Sequence, residues 1–358
     1  MSEKKATNIR EINFDDTKTN KSFLGQFISS SDIQNILINN TPQVQSAWFR
    51  FQSEWAYNAY QSMKDLDKYL ILVYLIQKTF IHYADLFVII SEETMYAQDS
   101  FEIDKINLIE ISEELGIPKE TVRRKINELS NEGIIERIGK KIILKVNAFQ
   151  KQRPIKTVKT LSSFLAVCSK LISSESNLLP LVPKENIESF IRANFTLIWR
   201  FYFKTQIPTM INWRKYYGDL ETWVVSGVVL INQSVKLRDL YKGKGITLDF
   251  DNMSNEDKFK KVYEFIFSNS DKITGVNASS IAEITGIPRA TVIRKLKFAS
   301  RFGLITRNKD QLYVIKKLSQ AKMREFTKIA STIQERIYKF IGTFFELYKN
   351  KAQLPQAK

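Results

Sequence analysis

One cysteine, Cys168, and one histidine, His82, stand in 358 residues, and both absences exclude chemistry. A single cysteine rules out an intrachain disulfide framework. One Cys and one His cannot supply a structural zinc site of the usual kind, so no metal is expected. The histidine-pair nucleases that open plasmid DNA are excluded for the same want of histidines. A Cys–His nucleophilic pair would need Cys168 and His82 to meet, and each falls in an apolar helical stretch. No other catalytic constellation and no cofactor motif is present, so the chain is not expected to be an enzyme. Lys242-Gly243-Lys244-Gly245 lacks the rest of a phosphate-binding loop. Long apolar runs are also missing. Tyr69 to Ile76 is apolar throughout, but Gln77, Lys78, His82 and Asp85 interrupt any longer run. These are core helices rather than membrane spans, and nothing at the N-terminus reads as a signal peptide.

Positive charge is abundant. Lys and Arg number 54 against 38 Asp and Glu, a formal net charge of +16, which calls for a polyanionic partner. The distribution is more telling than the total. No acid falls between Glu136 and Glu175, nor between Glu283 and Asp310, while bases crowd both stretches.

Those stretches adjoin or contain two copies of one motif. Gly116-Ile117-Pro118-Lys119-Glu120-Thr121-Val122-Arg123-Arg124-Lys125-Ile126 recurs as Gly286-Ile287-Pro288-Arg289-Ala290-Thr291-Val292-Ile293-Arg294-Lys295-Leu296. Aligning 111–137 with 281–307 gives 13 identities, which reads as an internal duplication. Upstream, Asp65-Leu66 aligns with Asp219-Leu220 and Asp85-Leu86 with Asp239-Leu240 at a smaller offset. The difference places an insertion at Tyr241–Glu256, expected to split what is one long helix in the first unit.

Each copy predicts a helix-turn-helix. Ile109, Ile111, Ser112 and Leu115 give a short helix with one apolar face, and Gly116 ends it. Ile117 plugs the angle, and Pro118 suits a first helical position. Val122, Ile126 and Leu129 then form a buried stripe, leaving Lys119, Glu120, Arg123, Arg124 and Asn127 outside. In the second copy Val292, Leu296 and Ala299 form the stripe, and Arg289, Ile293, Arg294 and Lys297 point outward. Alternating strands around a turn follow each pair, at 134–144 and again at 304–315.

Helix, turn, basic helix, hairpin: the pattern resembles the winged helix-turn-helix domains of bacterial transcription regulators, in the MarR, IclR and catabolite-activator C-terminal style. The resemblance implies a mainly α fold with small β-hairpin wings, in which two tandem winged helix-turn-helix domains are joined by packing helices. It implies double-stranded DNA as partner and a cytoplasmic, nucleoid-associated location. Read residue by residue, it assigns DNA contact to Lys119, Glu120, Thr121, Arg123, Arg124 and Asn127, with Arg137, Lys140 and Lys141 in the first wing. In the second unit it assigns Arg289, Thr291, Ile293, Arg294 and Lys297, with Arg307 and Lys309 in the wing. Tandem plasmid or phage replication initiators are an architectural alternative, and a non-specific chromosome scaffold is a third reading.

The expected organisation is a flexible arm at 1–21 and a first unit at 22–172, with its helix-turn-helix about 108–130 and its wing about 134–146. A linker at 173–183 leads to a second unit at 184–316, with helix-turn-helix about 278–301 and wing about 304–316. Pro208 is expected to break the helix that starts near Glu188. A long C-terminal helix and tail fill 317–358, and two roles stay open for them: a homodimer contact or cover for the chain's own core. Trp48, Phe49, Phe51, Trp55, Tyr57 and Tyr60 are read as packing between helices, with a small-molecule effector as the alternative.

Overall fold

The computed structural model describes residues 29–86, 88–103, 106–138, 141–145, 154–176, 179–241, 253–269 and 272–353. The arm expected at 1–21 and most of the stretch inserted at 241–256 lie outside them.

Local signals set the first helices. Ser29 caps α1 (Ser30–Asn39) in a reciprocal box with Asp32. Asn40 ends α1, its side-chain amide donating to the Ile36 carbonyl, and α2 (Thr41–Met63) starts at once with Pro42 in its first turn. Lys64 takes the left-handed conformation, φ 54°, and Asp65 caps α3 (Leu66–Asp85) by accepting from the Lys68 N–H at 2.7 Å.

The same order of devices recurs 154 residues later. The helix α8 (Lys184–Ala193) has ten residues, like α1. Asn194 ends it and donates to the Phe190 carbonyl. The next helix, α9 (Phe195–Tyr217), has 23 residues, like α2. Gly218 then has φ +84°, and Asp219 accepts from the Thr222 N–H at 2.7 Å to start α10 (Leu220–Tyr241).

In the first half α3 leads through α4 (Glu92–Tyr96) and β1 (Ser100–Ile103) to α5 (Leu108–Leu115) and α6 (Lys119–Asn131). Strands β2 (Ile135–Ile138) and β3 (Lys141–Lys145) follow, and α7 (Ile155–Glu175) closes the half. β3 lies between β1 and β2, antiparallel to both, with Phe101 and Ile135 opposite Leu144. In the second half α11 (Asn255–Ser268) precedes α12 (Ala278–Thr285) and α13 (Arg289–Arg301). There β4 (Ile305–Arg307) pairs with β5 (Tyr313–Ile315), and a single bridge, Val276 to Tyr313, stands where the other sheet has its third strand. The last helix is α14 (Gln320–Gln353).

One hydrophobic core runs through both halves. α2 and α9 are central to it, with α3 and α14 packed on α9, and α7 and α12 packed on α2. α14 buries Phe326, Ile337, Phe344 and Phe345 against α1, α9 and α11 of its own chain.

Three expectations need correction. Pro208 lies inside α9 and does not end it. A buried helix gains more from packing than one missing N–H costs, and Ile207, Thr209 and Met210 around the proline are all buried. The first unit has no long helix for the insertion to split, because α3 ends at Asp85 and the chain turns into α4. Ile109 does not share the apolar face of α5; it is 50% exposed, while Ile111 and Leu115 are buried. In the stretch expected as a linker, Leu179 and Val182 are buried, and the Val182 N–H donates to Ser169 of α7 at 2.8 Å.

Candidate nucleic-acid interface

The turn between α5 and α6 is fixed by backbone requirements. Asn107 caps α5 by accepting from the Glu110 N–H at 2.8 Å. Gly116, at φ +63°, takes the left-handed conformation that ends the helix. Ile117 is buried, and its carbonyl accepts from the Ser112 hydroxyl at 2.7 Å. Pro118, expected as the first helical residue, is instead the N-cap of α6: at φ −53° and ψ 134° it is still extended, and the helix starts at Lys119. Burial of Val122, Ile126 and Leu129 then seats α6, each side chain contributing roughly 1.5–3 kcal/mol.

The pair α12 and α13 meets the same requirements. Asn277 accepts from the Ser280 N–H at 2.8 Å, Gly286 has φ +68°, and Ile287 is buried. Pro288 has φ −53° and ψ 135°. Val292, Leu296 and Ala299 are buried beneath α13.

Not every base on these helices faces outward. Lys125 is buried and reaches Asp65 and Glu128, each at 2.9 Å. Burial lowers the pKa of its ammonium, but hydrogen bonds to Glu128 and Asp65 outweigh it and raise the value. Lys295 makes the equivalent bond to Asp219 at 2.7 Å. In both halves, then, a lysine of the second helix is tied to the carboxylate that caps the preceding long helix. Sequence reasoning did not single out either lysine. The signal was there, since Lys125 and Lys295 are identical across the two copies.

Lys119, Glu120, Arg123, Arg124 and Asn127 are exposed on α6, and Thr121 is half-buried. Arg123 grips Glu120 at 2.6 and 2.8 Å, which holds the Glu120 carboxyl below its usual value. On α13, Arg289, Arg294 and Lys297 are exposed and Thr291 is half-buried. Ile293 does not point fully outward; it is half-buried against the core, because an apolar side chain at the helix margin folds back onto its neighbours. Arg124, Arg294 and Lys297 have no hydrogen bond or ion pair among the described residues. Arg289 donates to Ser279 at 3.0 Å.

In the first hairpin Arg137 is exposed, Lys140 lies outside the described residues, and Lys141 begins β3. In the second, Lys309 is exposed at the turn. Arg307 stacks on the Tyr313 ring, 4.9 Å from its centroid, and donates to its hydroxyl at 2.8 Å.

Each of these helix pairs is also held by the other half. Arg214 of α9 donates to the Gly116 carbonyl at 2.9 Å and pairs with Asp67 at 2.9 and 3.1 Å. Gln61 of α2 donates to the Gly286 carbonyl at 3.4 Å. These cross-half contacts could not be read from sequence, because they join elements more than 90 residues apart.

Among the described residues no group of three or more His, Cys, Asp or Glu could hold a metal ion. No described helix is long and apolar enough to cross a membrane.

No curated protein and no solved structure matches the chain. Residues 102–139 match the DeoR-like helix-turn-helix domain. That span runs from the end of β1 through α5, the Gly116 turn and α6 into the first hairpin, and leaves α12 and α13 outside it. The match names the DeoR-like type and none of the MarR, IclR or catabolite-activator styles. This chain therefore carries, at 102–139, a segment similar to the DeoR-like helix-turn-helix domain, which supports double-stranded DNA binding and a role in transcription regulation.

Proposed function

We propose that the protein is a sequence-specific transcription regulator in which two winged helix-turn-helix units of one chain act as a pseudo-dimer on double-stranded DNA. The observation that carries this reading is the matched pair of anchors, Lys125 to Asp65 and Lys295 to Asp219. Each sets a basic helix on the long helix before it, in the same register. The recurrence of helix lengths and caps 154 residues apart supports descent of the two halves from one ancestral unit.

In this reading α6 and α13 enter successive major grooves. Arg124 and Arg294 make the shared contacts, to guanine edges or phosphates. Thr121 and Thr291 contact phosphate near the helix starts, and Arg137, Lys140, Lys141, Arg307 and Lys309 are wing contacts. The outer faces differ at Glu120 against Ala290, Arg123 against Ile293 and Asn127 against Lys297. The two half-sites are therefore unlike, about 10 bp apart or a multiple of that.

Gel-shift titration of Arg124→Ala and Arg294→Ala on a selected site tests the assignment. Each variant is expected to bind more weakly than wild type, and wild-type affinity in either would remove that helix from the interface.

A further inference from the structure

Between α3, α4 and α9 lies a cavity of about 490 Å3. Its walls are aromatic: Tyr69 and Phe80 come from α3, Tyr96 from α4, and Phe195, Trp199 and Phe203 from α9. Leu72, Val73, Ile76 and Met95 add to the apolar lining. Asn58 and Ser62 of α2, with Lys156 and Thr157 in the first turn of α7, form a polar rim. The volume falls within the roughly 300–1,000 Å3 that small-molecule sites occupy.

Two further observations point to an occupant. Tyr202 lines the same cavity and is 1% exposed, and its hydroxyl has no hydrogen-bond partner among the described residues. Such a group is costly unless something bound satisfies it. At the rim, α7 begins after Pro154 with no side-chain cap, and Lys156 is exposed beside those first-turn N–H groups.

The matching place in the second half is closed. Shifted by 154 residues, Tyr69, Val73 and Ile76 correspond to Trp223, Gly227 and Leu230. Those residues surround only about 80 Å3. Phe326 of α14 fills the space, with ring centroids 5.2 Å from Trp213 and 4.8 Å from Tyr263. Among the described residues, the pocket of the second half is thus far smaller than that of the first.

We propose that the first-half cavity binds one small molecule per chain, with an aromatic body against the α3 and α9 walls and a single anionic group at the Lys156 rim. Its walls belong to both halves of the chain. Resting on the pseudo-dimer reading, occupancy sets how the two DNA-binding units sit relative to each other. The binding itself does not depend on that reading, and the test is made without DNA.

The full chain is titrated at moderate salt with 1-anilinonaphthalene-8-sulfonate, an aromatic anion, and with its neutral relative N-phenyl-1-naphthylamine. Probe emission and tryptophan quenching report binding. One saturable site per chain is expected for both probes. Val73→Phe, which fills the cavity, weakens both by about tenfold or more. Lys156→Glu, at the exposed rim, weakens the sulfonate by about fivefold and leaves the neutral probe unchanged. If Val73→Phe does not fold, as judged by circular dichroism, Asn58→Trp on the half-exposed rim serves as the blocking variant. Binding that survives the blocking variant, or a stoichiometry other than one, overturns the site. An equal effect of Lys156→Glu on both probes overturns the anionic group.

Discussion

Gln52 of α2 and Gln206 of α9 hydrogen-bond reciprocally in the core. The Gln52 amide donates to the Gln206 carbonyl oxygen at 2.9 Å, and the Gln206 amide donates back at 3.2 Å. The two residues stand 154 positions apart, the offset that relates α1 to α8 and α2 to α9. Bonded through the same atoms in both directions, the pair ties the two central helices together. Around it the halves hold each other, through Arg214 on the Gly116 turn and Gln61 on the Gly286 turn.

Removing both members of this pair should cost less than the two single removals added together. Gln52→Leu leaves the Gln206 amide buried and unpaired, at about 1–3 kcal/mol. The Gln52→Leu, Gln206→Leu double variant should be destabilised by less than the sum of the single changes. Urea unfolding of the four proteins measures this, and strict additivity would mean that the two amides do not act as a pair.

Lys125 and Arg124 are neighbours with different predicted roles. Lys125→Met should lower unfolding stability by about 1–3 kcal/mol, because it removes the ion pair that ties α6 to Asp65, the cap of α3. Arg124→Ala should leave stability unchanged within about 0.5 kcal/mol and reduce DNA affinity instead. If Arg124 contacts phosphate, the slope of log affinity against log salt falls by about one. Loss of stability in Arg124→Ala with DNA affinity intact would reverse the assignment.

Cys168 is buried in α7, and burial pushes its thiol well above the ordinary range. An aromatic disulfide reagent at mildly alkaline pH should therefore leave the native chain unmodified and react fully once denaturant is added. Rapid reaction in the native state would place Cys168 at the surface.

Glu221 contributes a pH dependence of definite sign. Burial raises its pKa, partly opposed by the Leu66 N–H and Lys295. The native state thus holds this proton more tightly than the unfolded chain does. Its contribution to stability is present below the ordinary carboxylate value, is lost as pH rises through the raised value, and is level above that. Thermal unfolding across this interval should show the fall in the wild type and a flatter profile in Glu221→Gln. Parallel profiles would contradict the raised pKa.

The helix-turn-helix was legible because its turn makes demands that few residues meet. Gly116 must be left-handed and Ile117 must fill the angle, so these letters state the structure, while Pro118 marks the helix start one place early, as its N-cap. The buried stripe of α6 followed from spacing alone. Other features had no local signal. β1 is four residues long and exists because β3 pairs with it, from Ile103 opposite Ile142 to Ser100 opposite Lys145. Pro208 reads as a breaker in every local sense, and only packing on α3 and α14 keeps α9 continuous. The likeness of α1 to α8 lies in length and an asparagine C-cap, while their N-caps and side chains differ. Gln52 looked like an ordinary polar residue in an aromatic helix until its partner came from the other half. The cavity was hidden for the same reason, since its walls come from helices far apart in sequence.

The central claim is that both basic helices read DNA together. Selection of the purified chain on a random-sequence double-stranded DNA pool at near-physiological salt, with sequencing of the retained DNA, tests it directly. The account predicts enrichment of a two-part site with unequal halves about 10 bp apart, or a multiple of that. Retention without enrichment, or enrichment of a single half, would contradict it.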